Sequence, residues 1–356
     1  MDVPAVPANG VTGVREMAML PEQVAQVSEW RAAVRAGSLI APHVLAAGVP
    51  VYGANEGEVR VRVRSAKAAG ADFIKVFSEV SEPLWRAILD ESRRQDIPVD
   101  GHVPAGVTAA EAARAGQRTV EHLTQDYEAC STVERAVMRA RGGLGGEAIV
   151  ELAGSQEREV LAAFDAPACA RTAKAIASTR QVEVPTLVLS QLEATRAGTD
   201  FAADPRWPLL RVDEQARWRR ILAEAANDDV ALARSRHDVS CRIVRALHAA
   251  HVPILAGTDT PMPLNYPGYS LHDELEQLVA CGLDAAEALR AATSLPAQVF
   301  GDTEGGAIAV GKRADLLLLD ADPLATYDDS AEAARAVRSM PVALTLVGGE
   351  TAYSAF

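Results

Sequence analysis

The chain has 356 residues, with 35 Lys and Arg against 48 Asp and Glu, for a formal charge of −13. Hydrophobic residues at 49 % and charged residues at 23 % suit one large folded domain, or one large and one small, and exclude a disordered chain. The acidic balance excludes a nucleic-acid or anionic-membrane surface, and no apolar run of about 18 residues is present to span a bilayer.

Residues 1–20 include Asp2, Pro4, Pro7, Arg15 and Glu16 and lack the basic start and apolar stretch of a secretory leader. In chain order, the predicted strands are Gly10–Met17, Leu39–Ala47, Phe73–Phe77, Pro98–Val103, Arg118–Leu123, Val182–Leu189 and Val252–Thr258. Several are almost continuously apolar, as strands of a parallel sheet buried on both faces are. Between them, Ser81–Gln95 places Leu84, Trp85, Ile88 and Leu89 on one helical face. Thr108-Ala109-Ala110-Glu111 and Asp284-Ala285-Ala286-Glu287 each read as a helix start in which the first side chain and the Glu cap one another. Gly142–Gly146 is a hinge, with no Lys-Ser/Thr to make a phosphate loop. Charged helix is expected over Asp213–Ala226, its arginines neutralised by Glu214, Glu224 and Asp228.

Alternating β and α at this pitch predicts a doubly wound sheet or a (β/α)8 barrel, with long insertions after the strands at 118 and 182. Residues 1–300 are assigned to the barrel and 301–356 to part of a small β-sheet domain, whose strands are sought in 305–313, 314–320 and 342–350. Cys130, Cys169, Cys241 and Cys281 form no Cys-x-x-Cys pair, so four free thiols in a reducing compartment, the cytoplasm, are expected.

Ionisable side chains at strand ends carry the functional signal. Lys75 lies inside an apolar strand, where an unpaired ammonium is costly. His102, His122 and Asp259 close three other strands. The C-terminal ends of barrel strands are where chemistry collects, and two imidazoles, a carboxylate and a lysine match a hydrolytic metal centre. Singly, each has a structural explanation; jointly they point to a site. Tyr127, five residues past His122, is placed over the mouth as a substrate contact. His237, His248 and His251 flank a helix and are assigned structural roles; His272 with Glu276, one turn on, is assigned to the surface.

These segments, with Gly10–Met17, Gly101-His102-Val103-Pro104, Val120-Glu121-His122-Leu123, Leu271–Leu275, Ala288–Thr293 and Val310–Leu316, resemble the amidohydrolase superfamily, in particular its prolidase-like and imidazolonepropionase-like branch. The resemblance implies a metal-dependent hydrolase of C–N bonds, using zinc or a similar divalent ion. Its small substrate would be a dipeptide or N-acyl amino acid. Lys75 would be carboxylated and bridge two metals, His102 and His122 would bind the more exposed one, and Asp259 would bind the other and shuttle a proton. The family's first-strand His-x-His is absent: the first histidine is His43, and no His-x-His occurs in the 356 residues. The expectation is therefore a barrel lacking its first strand, with at most one metal held tightly and a tendency to self-associate through open edges. Pro4 and Pro7 remove ladder donors and keep residues 1–9 from replacing that strand. The competing expectation is a catalytically impaired homologue that only binds.

Overall fold

The computed structural model describes residues 5–196, 199–224 and 229–356. Four parallel strands run in chain order, β1 (Gly13–Glu16), β2 (His43–Pro50), β3 (Phe73–Val76) and β4 (Val99–Gly101). A second parallel pair follows, β5 (Thr119–Glu121) and β6 (Val182–Val184). The Arg118 amide donates to Val99 O at 2.8 Å and joins the two sheets. Ile254 bridges in parallel to Glu183 and continues the arc. Among the described residues no pairing links the segment at 254 to β1, so the ring of strands is open there.

Alternation along the strands sorts their side chains. Ile74, Val76, Val99 and Val120 join the apolar layer beneath the surrounding helices, while Lys75, Asp100, Thr119 and Glu121 turn inward. The helix Glu82–Arg94 buries Trp85, Ile88 and Leu89 as expected from its apolar face. At both predicted capping sites the hydrogen bonds are made in both directions: Thr108 Oγ1 accepts from Glu111 N at 3.2 Å, and Glu111 accepts from Thr108 N at 3.1 Å. Such pairs satisfy amides that a helix start leaves open.

Several boundaries differ from the sequence expectation. β2 begins later than Leu39, after a loop through Gly37. The strand expected over Val182–Leu189 stops at Val184, because Pro185 has no N–H to donate and Thr186 is left-handed at φ 48°. The chain then turns into a helix, Leu187–Thr195. Residues 305–313 form no strand; β7 (Leu316–Leu319), β8 (Val342–Val347) and β9 (Glu350–Ser354) make an antiparallel sheet. An unforeseen helix, Ser330–Arg338, sets Ala334 and Val337 into the core of the second half of the arc. The charged helix runs Val212–Glu224, while Ala226 and Asp228 lie outside the described residues, as do Asp2 and Pro4. Pro7 lies in a short helix, Ala5–Ala8, whose carbonyl accepts from Thr345 Oγ1 at 2.7 Å and docks the small sheet.

The cysteine expectation is corrected. Cys130 pairs with Cys169 and Cys241 with Cys281, leaving no free thiol among the described residues. Sequence separations of 39 and 40 hide this pairing, since packing of distant helices brings the sulfurs together. With it goes the ground for assigning a reducing compartment. No described helix is long and apolar enough to cross a membrane.

Candidate active site

The site is built at the C-terminal ends of β3, β4, β5 and the segment after Ile254. Lys75, the third residue of β3, is 4 % exposed. Beside it Gly101 has φ 116°, and a Cβ there would lie 2.3 Å from Val76 O and 2.8 Å from Lys75 Cδ. Only glycine lets β4 pass this closely and deliver His102, whose amide donates to Val76 O at 2.9 Å. His122 and Asp259 follow their strands with φ 64° and 53°. Left-handed non-glycine residues are uncommon, and two of the five predicted site residues adopt that conformation.

The rings of His102 and His122 meet edge-to-face with centroids 5.0 Å apart. His122 Nε2 lies 3.9 Å from Asp259 Oδ2. Both Nδ1 atoms are occupied by hydroxyls: His102 Nδ1 is 3.0 Å from Ser78 Oγ, and His122 Nδ1 is 2.7 Å from Thr186 Oγ1. The Thr186 hydroxyl donates its single proton to Pro185 O at 2.8 Å. When it does so it accepts from a proton on His122 Nδ1 and the Nε2 lone pair faces Asp259; turned to the imidazole instead, it leaves the ring proton on Nε2, toward the carboxylate.

Burial, with the Lys75 charge second, pushes His102 down to about 3. Burial lowers His122 as well, against the pull of Asp259. Both imidazoles are thus neutral bases. Burial also lowers Lys75, opposed by Glu121 and Asp259. Beneath the lysine lies a charged layer. Arg15 Nη2 donates to Glu121 at 2.7 Å, its Nη1 reaches Thr119 at 3.1 Å and Asp100 at 3.4 Å, and Arg118 grips Asp100 at 2.9 and 2.6 Å. Burial would raise Glu121, but Arg15 and Lys75 hold it down to about 2, as a carboxylate. Reading for chemistry at strand ends passed over these residues. The signal was Asp100 within β4 and the Thr119/Glu121 pair of β5, polar residues two apart that period two puts on one face.

Lys75, His102, His122 and Asp259 therefore come together, and Tyr127 does not. The Tyr127 hydroxyl bonds Ser240 Oγ at 2.8 Å, and its ring packs among the helices behind the site. His237 bonds Ser190 and His272 bonds Asn9 O. His248 pairs with Glu287 at 2.9 Å. Glu276 lies 3.4 Å from Arg338.

Among the described residues no group of three or more His, Cys, Asp or Glu side chains is arranged to hold a metal ion. The two imidazoles and the neighbouring carboxylate are nevertheless donors of the kind a divalent ion takes, with Lys75 at hand.

A family model described as "Amidohydrolase family" matches residues 3–352. Among solved structures the chain is similar to a bottromycin amidohydrolase, at TM-score 0.69 and 23 % identity over 98 % of this chain and 73 % of that one. It is also similar to an A. niger ochratoxinase (TM-score 0.61, 18 % identity, 99 % and 74 % covered). A third is a Xaa-Pro dipeptidase with bound methionine in its active site (TM-score 0.59, 17 % identity, 99 % and 77 % covered). At these identities the likeness is one of fold. A search of curated proteins gave no significant match.

Proposed function

The chain belongs to the amidohydrolase family, and from that premise we propose that it cleaves an amide or peptide bond of a dipeptide or N-acyl amino acid. Membership makes it a hydrolase of carbon–nitrogen bonds, with metal-dependent chemistry in general. The finer assignment rests on the cluster. His102 and His122 would hold one divalent ion, zinc in this reading, through Nε2, with Asp259 and a carboxylated Lys75 beside them. Such an ion, when bound, acidifies water and polarises a carbonyl. The rest is done by the chain. Ser78 and Thr186 orient the imidazoles, and Asp259 takes the proton of the attacking water and passes it to the leaving nitrogen. Gly101 keeps β4 close enough for His102 to meet Lys75. The barrel at 1–300 and the small-sheet unit at 301–356 belong to the same proposal, as does self-association through the open edges.

The observation that carries this reading is the meeting of His102, His122 and Asp259, the two rings 5.0 Å apart by centroid and His122 Nε2 3.9 Å from Asp259 Oδ2. A second reading, a homologue that binds without turnover, is favoured because among the described residues no group of three or more His, Cys, Asp or Glu side chains is placed to hold a metal ion. Metal analysis after exhaustive dialysis, beside a turnover screen on N-acyl amino acids and dipeptides, separates the two. We expect at most one equivalent of divalent metal, lost in His122→Ala, and metal-dependent release of amino acid. Metal without turnover selects the second reading, and retention of metal in His122→Ala refutes the assigned site.

A further inference from the structure

Aromatic residues make up only 4 % of the chain, yet rings line up beside the cluster. Tyr52, two residues beyond the end of β2, stacks on Phe77 with centroids 5.5 Å apart and planes 16° from parallel. Phe77 then meets the His102 ring edge-on at 5.0 Å, and His102 meets His122 at 5.0 Å. Lys75 Nζ lies 5.0 Å from the Phe77 centroid. The row thus runs without a gap from the candidate ligands out to the rim. Its outermost ring, Tyr52, is 40 % exposed, and Phe77 covers one face.

We propose that Tyr52, backed by Phe77, is the specificity platform of this site and selects substrates with an aryl side chain next to the scissile amide. The inference rests on the hydrolase reading for its substrate class. Offset stacking of a second ring on Tyr52 would dry apolar surface now facing water and add the quadrupole attraction of paired rings. Phe77 pins Tyr52 from behind, so little rotamer freedom is lost on binding. A methyl side chain covers too little of the ring to gain the same.

The test compares N-acetyl-L-phenylalanine with N-acetyl-L-alanine on the full chain, by calorimetric binding and, where turnover occurs, by kcat/KM. Wild type should favour the phenylalanine compound by about tenfold, from ring pairing with burial. Tyr52→Ala should erase most of that preference, and Tyr52→Phe should retain it. Tyr52→Leu, which fills the same space without an aromatic face, guards against a folding defect and should behave as Tyr52→Ala. Preference unchanged in Tyr52→Ala and Tyr52→Leu overturns the platform, as does a wild type that binds both compounds equally or neither. Aryl-selective binding without hydrolysis sinks the hydrolase reading and leaves the platform standing.

Discussion

Replacing Glu274 by Gln should make the protein more stable at neutral pH, and by an amount that grows with pH. Glu274 is fully buried on the helix Tyr269–Ala280 and accepts from Val188 N at 2.7 Å, at the start of the helix that follows Thr186. Among the described residues its other oxygen finds no hydrogen-bond partner and no cation pairs with it. Burial outweighs the amides of Val188 and Leu187 and raises the carboxyl from 4.5 to about 8. The folded state therefore keeps a proton that the unfolded chain releases above pH 4.5. Stability is complete below that value and falls as pH rises toward 8. At 1.36 kcal/mol per pH unit the cost is about 3 kcal/mol at pH 7 and about 4 kcal/mol at pH 8. Gln offers the same acceptor to Val188 with no proton to lose. Urea unfolding at pH 4.5, 6, 7 and 8 should show the variant and wild type converging at the acid end and diverging toward pH 8, with m unchanged. A variant less stable than wild type at pH 8 would show that Glu274 is ionised and that the helix start, rather than burial, decides its charge.

Three further outcomes follow from the site geometry. Thr186→Val removes the hydroxyl that fixes His122 and should weaken divalent-metal affinity by about 10- to 100-fold, read by competition with a chromogenic chelator. Gly101→Ala drives a methyl into Val76 O and the Lys75 side chain, so we expect a loss of about 3 kcal/mol or more in chemical denaturation together with loss of bound metal. Glu121→Gln leaves Arg15 short of a charged partner inside the strand arc, and a destabilisation of about 3 kcal/mol is expected by the same assay.

What the sequence disclosed follows the physics of exposure and period. Lys75 stood out because a lysine is improbable within Phe73–Val76, and His102, His122 and Asp259 because each closes an expected strand. The helix starts at Thr108 and Asp284 are local devices and came out as expected. Interactions set by packing between distant segments were not legible. Neither disulfide has a local spacing, and Tyr127 sits on the helix Asp126–Ala129, whose rotation toward Ser240 is fixed by the helix Val230–Ala249. The strand ends moved for a related reason. Pro185 and the left-handed Thr186 end β6 in a way that apolar content alone does not register.

The backbone at His122 accounts for how one short strand serves two purposes. In a regular strand, Glu121 and His122 would face opposite sides of the sheet, and only one could enter the arc. Glu121 does enter it, ion-paired to Arg15 at 2.7 Å beneath Lys75. The φ of 64° at His122 breaks the alternation and swings the next side chain toward His102 and Asp259 as well. Asp259, with φ 53°, reaches the same place from the far side by the same departure. Each left-handed residue costs on the order of 1–3 kcal/mol, and the surrounding hydrogen bonds must hold it. At His122 these are the amide to Val184 O at 3.0 Å and the imidazole to Thr186 at 2.7 Å, both to the β6 side of the pair. β5 and β6 thus act together. The first supplies the histidine, and the second, through the turn that ends it, holds both the strained backbone and the ring that faces His102 and Asp259.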